Sequence, residues 1–250
     1  MKTVLLLGDI TGRSRVALRM LTNVLEDKGH EVLMLPTALI SNTLNLGKHT
    51  ALDTTDYLLA SLDTWEALGM RYDLAYVGYI TGMEQARVLC AVADGLRAKG
   101  VPVIVDPILG DNGKKYNSVT QEQAEGFRLL CAHADLITPN LTEAGLLLDD
   151  DVEADDAAYM LSKSGCCSVL ITSAKGEDGS DAIIGCANGD VFEIPFERVP
   201  GHHWGTGDLF TGLLIDGLLG GKKTQDAAAD AAAHVARQLR GEEKSLLPEQ

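Results

Sequence analysis

The segment best suited to do chemistry is residues 205–208, Gly-Thr-Gly-Asp, which opens an apolar helical stretch. Glycines let successive backbone N–H groups point into one concavity, and a helix start adds roughly half a positive charge there. Such a nest suits the oxygens of a phosphoryl group during transfer, with Asp208 as the base that takes the acceptor's proton. The alternative is that Asp208 is only a favourable charge in the first helical turn.

A second polar cluster, residues 106–113 (Asp-Pro-Ile-Leu-Gly-Asp-Asn-Gly), directly follows the predicted strand 102–105. It places the carboxylates of Asp106 and Asp111 on a glycine-rich loop. Carboxylates at a strand end can hold Mg²⁺ or a monovalent cation beside phosphates. A turn also favours Asp, Asn and Gly for conformational reasons, so the sequence leaves both interpretations open.

Two more clusters follow predicted strands. Residues 137–143 (Ile-Thr-Pro-Asn-Leu-Thr-Glu) offer Asn140 as an ATP contact and Glu143 as a direct or indirect Mg²⁺ ligand. The alternative is a helix cap followed by a first-turn charge. Thr172 and Ser173 end another strand with two hydroxyl groups, which is a weak signal by itself.

The elements that must position these clusters alternate between short β-like runs and amphipathic helical stretches. The predicted strands are residues 3–7, 31–36, 74–77, 102–105, 135–137 and 168–172. The predicted helices are residues 15–28, 84–99, 120–133, 208–219 and 226–240. This alternation predicts βαβ units and a parallel sheet covered on both faces, with an antiparallel hairpin at residues 182–185 and 191–194. Ligands of such sheets bind beyond the carboxyl ends of the strands.

Composition narrows the class of protein. The 250 residues, 46% of them apolar, predict one globular domain over residues 1–250 with a frayed polar tail at 241–250. The net charge of −15 and the scattered Lys and Arg argue against nucleic acid as a partner. No apolar run reaches the ~20 residues of a bilayer span, and no signal peptide or zinc spacing is visible. We expect a cytoplasmic protein that does not bind membranes.

Motifs of other nucleotide-binding classes are missing. The sequence has no G-x-x-x-x-G-K-[ST] phosphate loop, no H-R-D or D-F-G set, and no G-x-G-x-x-G in its first strand-to-helix turn. Because the net charge of −15 repels a polyphosphate, a bound one would have to be held by local dipoles and a metal ion.

Taken together and in this order, the motifs resemble the pyridoxal/pyridoxamine kinase family of the ribokinase-like superfamily. The resemblance covers nearly the whole chain and rests on residues 36–42, 78–82, 106–116, 138–143 and 205–208. It implies an α/β protein with a three-layer α/β/α ribokinase-like fold, a mostly parallel central sheet and helices on both faces. It also implies a homodimer that transfers the ATP γ-phosphate to the 5′-hydroxymethyl group of pyridoxal, pyridoxamine or pyridoxine, for salvage of the 5′-phosphate.

The resemblance also implies roles for individual residues. The catalytic base would be Asp208, with an anion hole formed by the N–H groups of Gly205, Thr206 and Gly207. Contacts with ATP would come from Asp106, Asn140, Glu143, Thr172, Ser173 and Thr206. Mg²⁺, with K⁺ or Na⁺ as a further candidate, would be served by Asp111, Glu143, Asp106 and Thr138. The acceptor would be lined by Asp9, Ser41, Thr43, Tyr79 and Asp208.

The sequence departs from the family pattern at the acceptor pocket. Leu44 stands where the family usually has a ring-contacting Thr, and Thr43 is the candidate replacement. Asp9 lies where a His or Ser usually meets the ring, and a carboxylate there could pair with a pyridinium nitrogen or with the amine of pyridoxamine. Residues 41–50 are a candidate lid with Gly47 as its hinge.

Three alternatives to the B6 interpretation stay open. A hydroxymethylpyrimidine kinase shares the fold, although that family usually has Cys at the position of Asp208. A sugar or nucleoside kinase of the same superfamily is typically longer and carries a lid domain. A binding module that no longer catalyses would have lost the base or the anion hole, and the sequence has both.

Overall fold

The computed structural model of the chain describes residues 1–13, 16–43, 48–166, 168–201, 203–243 and 245–247. Two residues singled out in the sequence, Leu44 and the candidate hinge Gly47, lie outside these ranges. Proposals that depend on them therefore stay predictions.

Strands and helices alternate along the described ranges. The strands are β1 (Thr3–Thr11), β2 (Glu31–Ile40), β3 (Ala51–Asp53), β4 (Leu74–Val77), β5 (Val103–Val105), β6 (Gly110–Asp111), β7 (Lys114–Lys115), β8 (Leu136–Ile137), β9 (Ser168–Lys175), β10 (Asp181–Ala187) and β11 (Asp190–Pro195). The helices are α1 (Leu18–Asp27), α2 (Thr55–Ala67), α3 (Met83–Ala98), α4 (Gln121–Cys131), α5 (Leu141–Leu148), α6 (Ala154–Lys163), α7 (Thr206–Leu219) and α8 (Thr224–Leu239).

In the described part of the chain, nine strands form one sheet in the order β11-β10-β9-β8-β5-β4-β1-β2-β3. The neighbours from β9 to β2 pair in parallel, whereas β10 and β3 join antiparallel at the two sides. The hairpin of β10 and β11 is antiparallel. The predicted mostly parallel sheet and its appended hairpin are confirmed.

Helices cover both faces of the sheet because alternate strand residues point to opposite sides. On β1, Val4 and Leu6 pack with apolar residues of α1, α7 and α8. Leu5 and Leu7 belong to the core cluster on the other face, which contains residues of α2 to α6. All four side chains are fully buried, as expected for a central parallel strand. The three-layer α/β/α architecture is confirmed.

The predicted end of the second strand at Pro36 is wrong, since β2 continues to Ile40. Proline lacks the N–H group of a regular ladder and is tolerated at bulges. Here the β1–β2 register shifts between Gly8 and Asp9, and Gly8 is the residue that pairs with Pro36. The irregularity lets β2 pass the proline, and it lies next to one of the predicted acceptor contacts.

The first predicted helix, 15–28, is shorter in the structure, since α1 begins at Leu18 after Ala17. At the other end of the chain, Leu246 and Leu247 pack against the core, and the Leu246 N–H donates to the Gln238 side chain at 2.9 Å. Residues 248–250 of the predicted tail lie outside the described ranges. Among the described helices, none has both the length and the apolar content needed to cross a bilayer.

Candidate active site

A cavity of about 770 Å³ lies beyond the carboxyl ends of β1, β5 and β8, next to the start of α7. Its size is in the range of small-molecule sites. The predicted site residues that line it are Asp9, Thr43, Asp106, Asp111, Thr138, Asn140, Glu143, Thr172, Ser173, Gly205, Thr206, Gly207 and Asp208. The structure therefore brings together clusters that are far apart in the sequence.

The start of α7 forms a wall of this cavity. Gly205 has φ 80°, a left-handed conformation that favours glycine, and the helix begins at the next residue. The first N–H groups of a helix have no partner inside it, and those of Thr206, Gly207 and Asp208 meet no acceptor elsewhere in the described residues. A side chain added at Gly207 would enter open space. These amides are therefore available to an anion.

Asp208 lies in the first turn of α7 and lines the same cavity. Its Oδ2 accepts a hydrogen bond from the backbone N–H of Ala17 at 2.9 Å. Burial raises the pKa of the Asp208 carboxyl to about 6, and the Ala17 hydrogen bond opposes the shift. Ala17 has φ 54°, an uncommon conformation for a residue with a side chain. Ala17, held in this conformation directly before α1, thus supplies a donor that orients Asp208.

Asp106 follows β5 and is held by three hydroxyl groups. Its Oδ1 accepts from Thr138 at 2.9 Å, and its Oδ2 accepts from Tyr76 at 3.3 Å and Thr211 at 3.4 Å. Burial and the nearby charge of Asp208 raise the pKa of Asp106 to about 7, while the hydroxyl donors oppose the shift. The carboxyl is therefore fixed in one orientation beside the base.

Asn140 and Glu143 form a capping box at the start of α5. The Asn140 side chain accepts from the Glu143 N–H at 3.0 Å, and the Glu143 carboxylate accepts from the N–H groups of Asn140 at 2.9 Å and Leu109 at 3.1 Å. The Asn140 amide also donates to the Gly110 carbonyl at 2.8 Å. Burial raises the pKa of Glu143 well above its usual value, and the backbone donors oppose the shift. The cap anticipated from the sequence is present, and it also fixes the glycine-rich loop.

Asp111 lies at the tip of that loop, in the hairpin of β6 and β7. Asn112 and Gly113 have φ 51° and 75°, which is the signature of a type I′ turn. The Asp111 carboxylate accepts from the Asn112 backbone at 2.8 Å and is exposed at the cavity. The Gly113 N–H donates to the Thr142 hydroxyl at 2.8 Å. The predicted turn thus also carries a carboxylate to the cavity.

Two predicted acceptor contacts, Ser41 and Tyr79, do not line the cavity. The Ser41 hydroxyl accepts from the Thr50 N–H at 2.9 Å and so joins the two ends of the candidate lid. Tyr79 is 5% exposed and packs in a small cluster with Ala38 and Ile40. Thr172 and Ser173, in contrast, line the cavity from β9, although β9 runs on past both residues to Lys175.

Sequence reasoning missed two parts of the cavity wall. Thr11 lies two residues after Asp9 on β1, and the two-residue period of a strand is the signal that could have found it. An apolar section is formed by Trp204 with Val235, Ala236 and Leu239 of α8. The exposed indole of Trp204, directly before the Gly-Thr-Gly segment, is the signal there.

No group of three or more His, Cys, Asp or Glu side chains placed to hold a metal ion occurs among the described residues. The predicted ligands Asp106, Asp111, Thr138 and Glu143 all line the cavity but do not form a closed cage. Their oxygen donors fit a hard cation, and Mg²⁺ commonly uses one or two carboxylates together with substrate phosphates. The residues present therefore fit an ion that arrives with a nucleotide.

The three-layer α/β/α architecture, with its cavity beyond the carboxyl ends of the strands, is the ribokinase-like fold. Pyridoxal kinase from Lactobacillus plantarum shares it with a TM-score of 0.82 at 24% identity, covering 98% of this chain and 91% of that one. A Bacteroides thetaiotaomicron protein described as a phosphomethylpyrimidine kinase, crystallised with pyridoxal, has a TM-score of 0.87 at 29% identity and covers 96% and 88% of the two chains.

A family model described as phosphomethylpyrimidine kinase matches residues 38–247, and the chain belongs to this family. Among its relatives, the pyridoxine/pyridoxal/pyridoxamine kinase of Bordetella avium is 32% identical over 82% of this chain and 74% of its own length. Pyridoxal kinase of Pasteurella multocida is 31% identical over 80% and 74%. The chain spans 49% of the length of a Schizosaccharomyces pombe relative at 29% identity. The resemblance to pyridoxal kinases is confirmed.

Proposed function

We propose that the protein transfers the γ-phosphate of ATP to the 5′-hydroxymethyl group of a vitamin B6 vitamer. The observation that carries this proposal is that the free amides at the start of α7 and the carboxyl of Asp208 line the same cavity. Phosphoryl transfer to an alcohol needs hydrogen-bond donors that stabilise the negative charge developing on the phosphoryl oxygens. It also needs a group that accepts the hydroxyl proton. The relatives named as pyridoxal kinases and the Bacteroides neighbour with bound pyridoxal support the substrate class.

In this proposal Asp208 acts as its carboxylate. The hydroxymethyl oxygen attacks the γ-phosphorus, the bond to the β–γ bridging oxygen breaks, and ADP leaves with that electron pair. The hydroxyl proton passes to Asp208, whose pKa of about 6 keeps it mostly ionised at neutral pH yet basic enough to accept a proton. The amides of Thr206 and Gly207 donate to the oxygens of the migrating group.

The nucleotide would occupy the part of the cavity that contains Trp204 and α8, whose apolar side chains suit a purine ring. Mg²⁺ bound with the phosphates would neutralise charge, held by Asp111 and, directly or through water, by Glu143. Asp106 and Thr138 are the candidates beside a monovalent cation. Thr172, Ser173 and Asn140 line the space between these groups.

A hydroxymethylpyrimidine kinase is the second candidate, favoured by the description of the family model that matches residues 38–247. Both substrates carry a hydroxymethyl group on a nitrogen heterocycle, so the same base and the same amides would serve either one.

The test is ATP consumption and product mass with pyridoxal, pyridoxine, pyridoxamine and hydroxymethylpyrimidine. We expect a phosphorylated product with a B6 vitamer and a kcat/KM at least about tenfold above that for the pyrimidine, since the net gain from one additional hydrogen bond corresponds to about that factor. Preference for the pyrimidine would select the second candidate. ATP binding without turnover of any of the four would contradict both.

A further inference from the structure

Two polar side chains at the end of β1, those of Asp9 and Thr11, have no partner on any other described residue. Asp9 is 4% exposed, accepts a hydrogen bond from its own backbone N–H, and forms no ion pair with a described Lys, Arg or His. Thr11 is 2% exposed, and its Oγ1 has no hydrogen-bond partner among the described residues. Both residues line the cavity. Within the described ranges no other residue pairs with these two groups, so a ligand in the cavity can do so.

Unpaired buried polar groups are costly, and native proteins keep few of them. A carboxylate can only accept hydrogen bonds, so the group that satisfies Asp9 must be a donor, and a cationic donor offsets its charge as well. A hydroxyl group such as that of Thr11 can accept a further N–H from the same donor. An ammonium group meets both requirements, because it is cationic and carries several N–H donors on one nitrogen.

The position of Asp9 in the cavity indicates which part of the phosphoryl acceptor would carry the ammonium group. Burial, followed by the nearby charge of Asp208, raises the pKa of Asp9 to about 7, while its own backbone N–H opposes the shift. The carboxyl group of Asp9 thus interacts electrostatically with that of the proposed base, Asp208. Asp9 and Asp208 line the same cavity, so an acceptor whose hydroxymethyl group meets Asp208 can present a neighbouring ring substituent to Asp9. In a B6 vitamer that substituent is an aldehyde, an alcohol or an aminomethyl group.

We propose that Asp9 and Thr11 form a subsite for a protonated aminomethyl group adjacent to the reacting hydroxymethyl, so that the amine vitamer is the preferred acceptor. The inference rests on the proposed function and deepens it. The ammonium donates to the Asp9 carboxylate and to Thr11 Oγ1. Its positive charge also separates Asp9 from Asp208, which otherwise repel each other across the site.

The experiment compares kcat/KM for pyridoxamine, pyridoxine and pyridoxal in the wild type and in Asp9→Asn, Thr11→Val and the matched control Asp27→Asn. Asp27 is exposed near the end of α1 and outside the cavity. We expect Asp9→Asn to lower the value for pyridoxamine by about 30-fold, the worth of a charged hydrogen bond, and to change the other two by less than about threefold. Thr11→Val should give a loss of about fivefold, again for the amine. The control should change none of the three.

Calorimetric binding of pyridoxamine and pyridoxine without nucleotide separates this inference from the proposed function. Binding of pyridoxamine that weakens about 30-fold in Asp9→Asn, with pyridoxine unchanged, supports the subsite even if no turnover occurs. Equal losses for all vitamers would indicate a structural role or a contact with the ring nitrogen that all of them share, and would overturn it. Unchanged amine binding and turnover in Asp9→Asn would also overturn it, while leaving the kinase assignment intact.

Discussion

The two ends of the cavity differ in how their polar groups are satisfied. At the phosphate end, Asp106 accepts from three hydroxyl groups and Glu143 from backbone N–H groups. At the acceptor end, the Thr11 hydroxyl has no partner in the described part of the chain, and Asp9 accepts only from its own backbone N–H. The phosphate end is thus organised before any ligand arrives, as electrostatic catalysis requires. The acceptor end is left for the substrate to complete, and this is where specificity is expected.

The largest effect should come from the base, at the junction of the two ends. We expect Asp208→Asn to lower kcat by roughly 10² to 10⁴, because it removes the proton acceptor but keeps the shape of the side chain. The Kd for ATP should change by less than about threefold, since the amides of α7 stay in place. Single-turnover kinetics and calorimetry measure the two quantities, with Asp27→Asn as the control. Turnover near that of the wild type would exclude Asp208 from the mechanism.

A smaller loss of activity should follow from adding a methyl group at Gly207, which would narrow the phosphate end of the cavity. A Cβ there meets no protein atom, so Gly207→Ala should leave the free energy of unfolding unchanged or slightly higher, as alanine favours helices. The methyl group would instead enter the space proposed for phosphate oxygens. We expect kcat/KM for ATP to fall by about tenfold, comparable to loss of part of an anion hole.

Gly207→Ala is informative together with Gly205→Ala. Gly205 has φ 80°, so alanine there should destabilise the fold by about 1 kcal/mol as well as lower activity. Chemical denaturation of both variants distinguishes the two effects. If Gly207→Ala kept full activity, the amides of this turn would not contact the transferred group.

The phosphate end was predictable because its motifs are local. Residues 205–208, 106–113 and 138–143 each combine turn-forming residues with an acid over a few positions, and parallel strands bring their ends together. The hydrogen bond from Ala17 to Asp208 joins residues 191 positions apart, and no local pattern encodes it. The same holds for the β-bulge beside Asp9, which reflects how β2 accommodates Pro36 against its neighbour.

Two helices show where periodicity fails as a guide. The α2 helix was not predicted, and Leu58 is its only fully buried residue among those described, so its apolar period is weak. The α6 helix contains three small alanines among its four buried residues, a pattern that hydrophobic contrast detects poorly. Neither helix contributes to the cavity wall. The errors therefore left the prediction of the phosphate end unaffected.

The last expected effect concerns stability alone and tests whether the Asp9 carboxylate lacks a partner on the rest of the protein. Its pKa is raised from 3.8 to about 7 on folding, so the folded state binds more protons than the unfolded state across that window. Below pH 4 the ionisation of Asp9 therefore does not affect the free energy of unfolding. As the pH rises from 4 to 7, the ionisation lowers the free energy of unfolding progressively, up to a limit of about 4 kcal/mol. Asp9→Asn should remove this destabilisation, because asparagine carries no ionisable group.

We expect Asp9→Asn to raise the free energy of unfolding by about 2 kcal/mol at pH 8 and to leave it unchanged at pH 4, as measured by urea denaturation. Asp27→Asn should show no such dependence on pH. Pyridoxamine should narrow the gap at pH 8, because it stabilises only a protein that binds it. A variant less stable than the wild type at pH 8 would mean that Asp9 already has a partner inside the protein. The contrast between a saturated phosphate end and an unsatisfied acceptor end would then be lost, since both ends would be organised before the substrate binds.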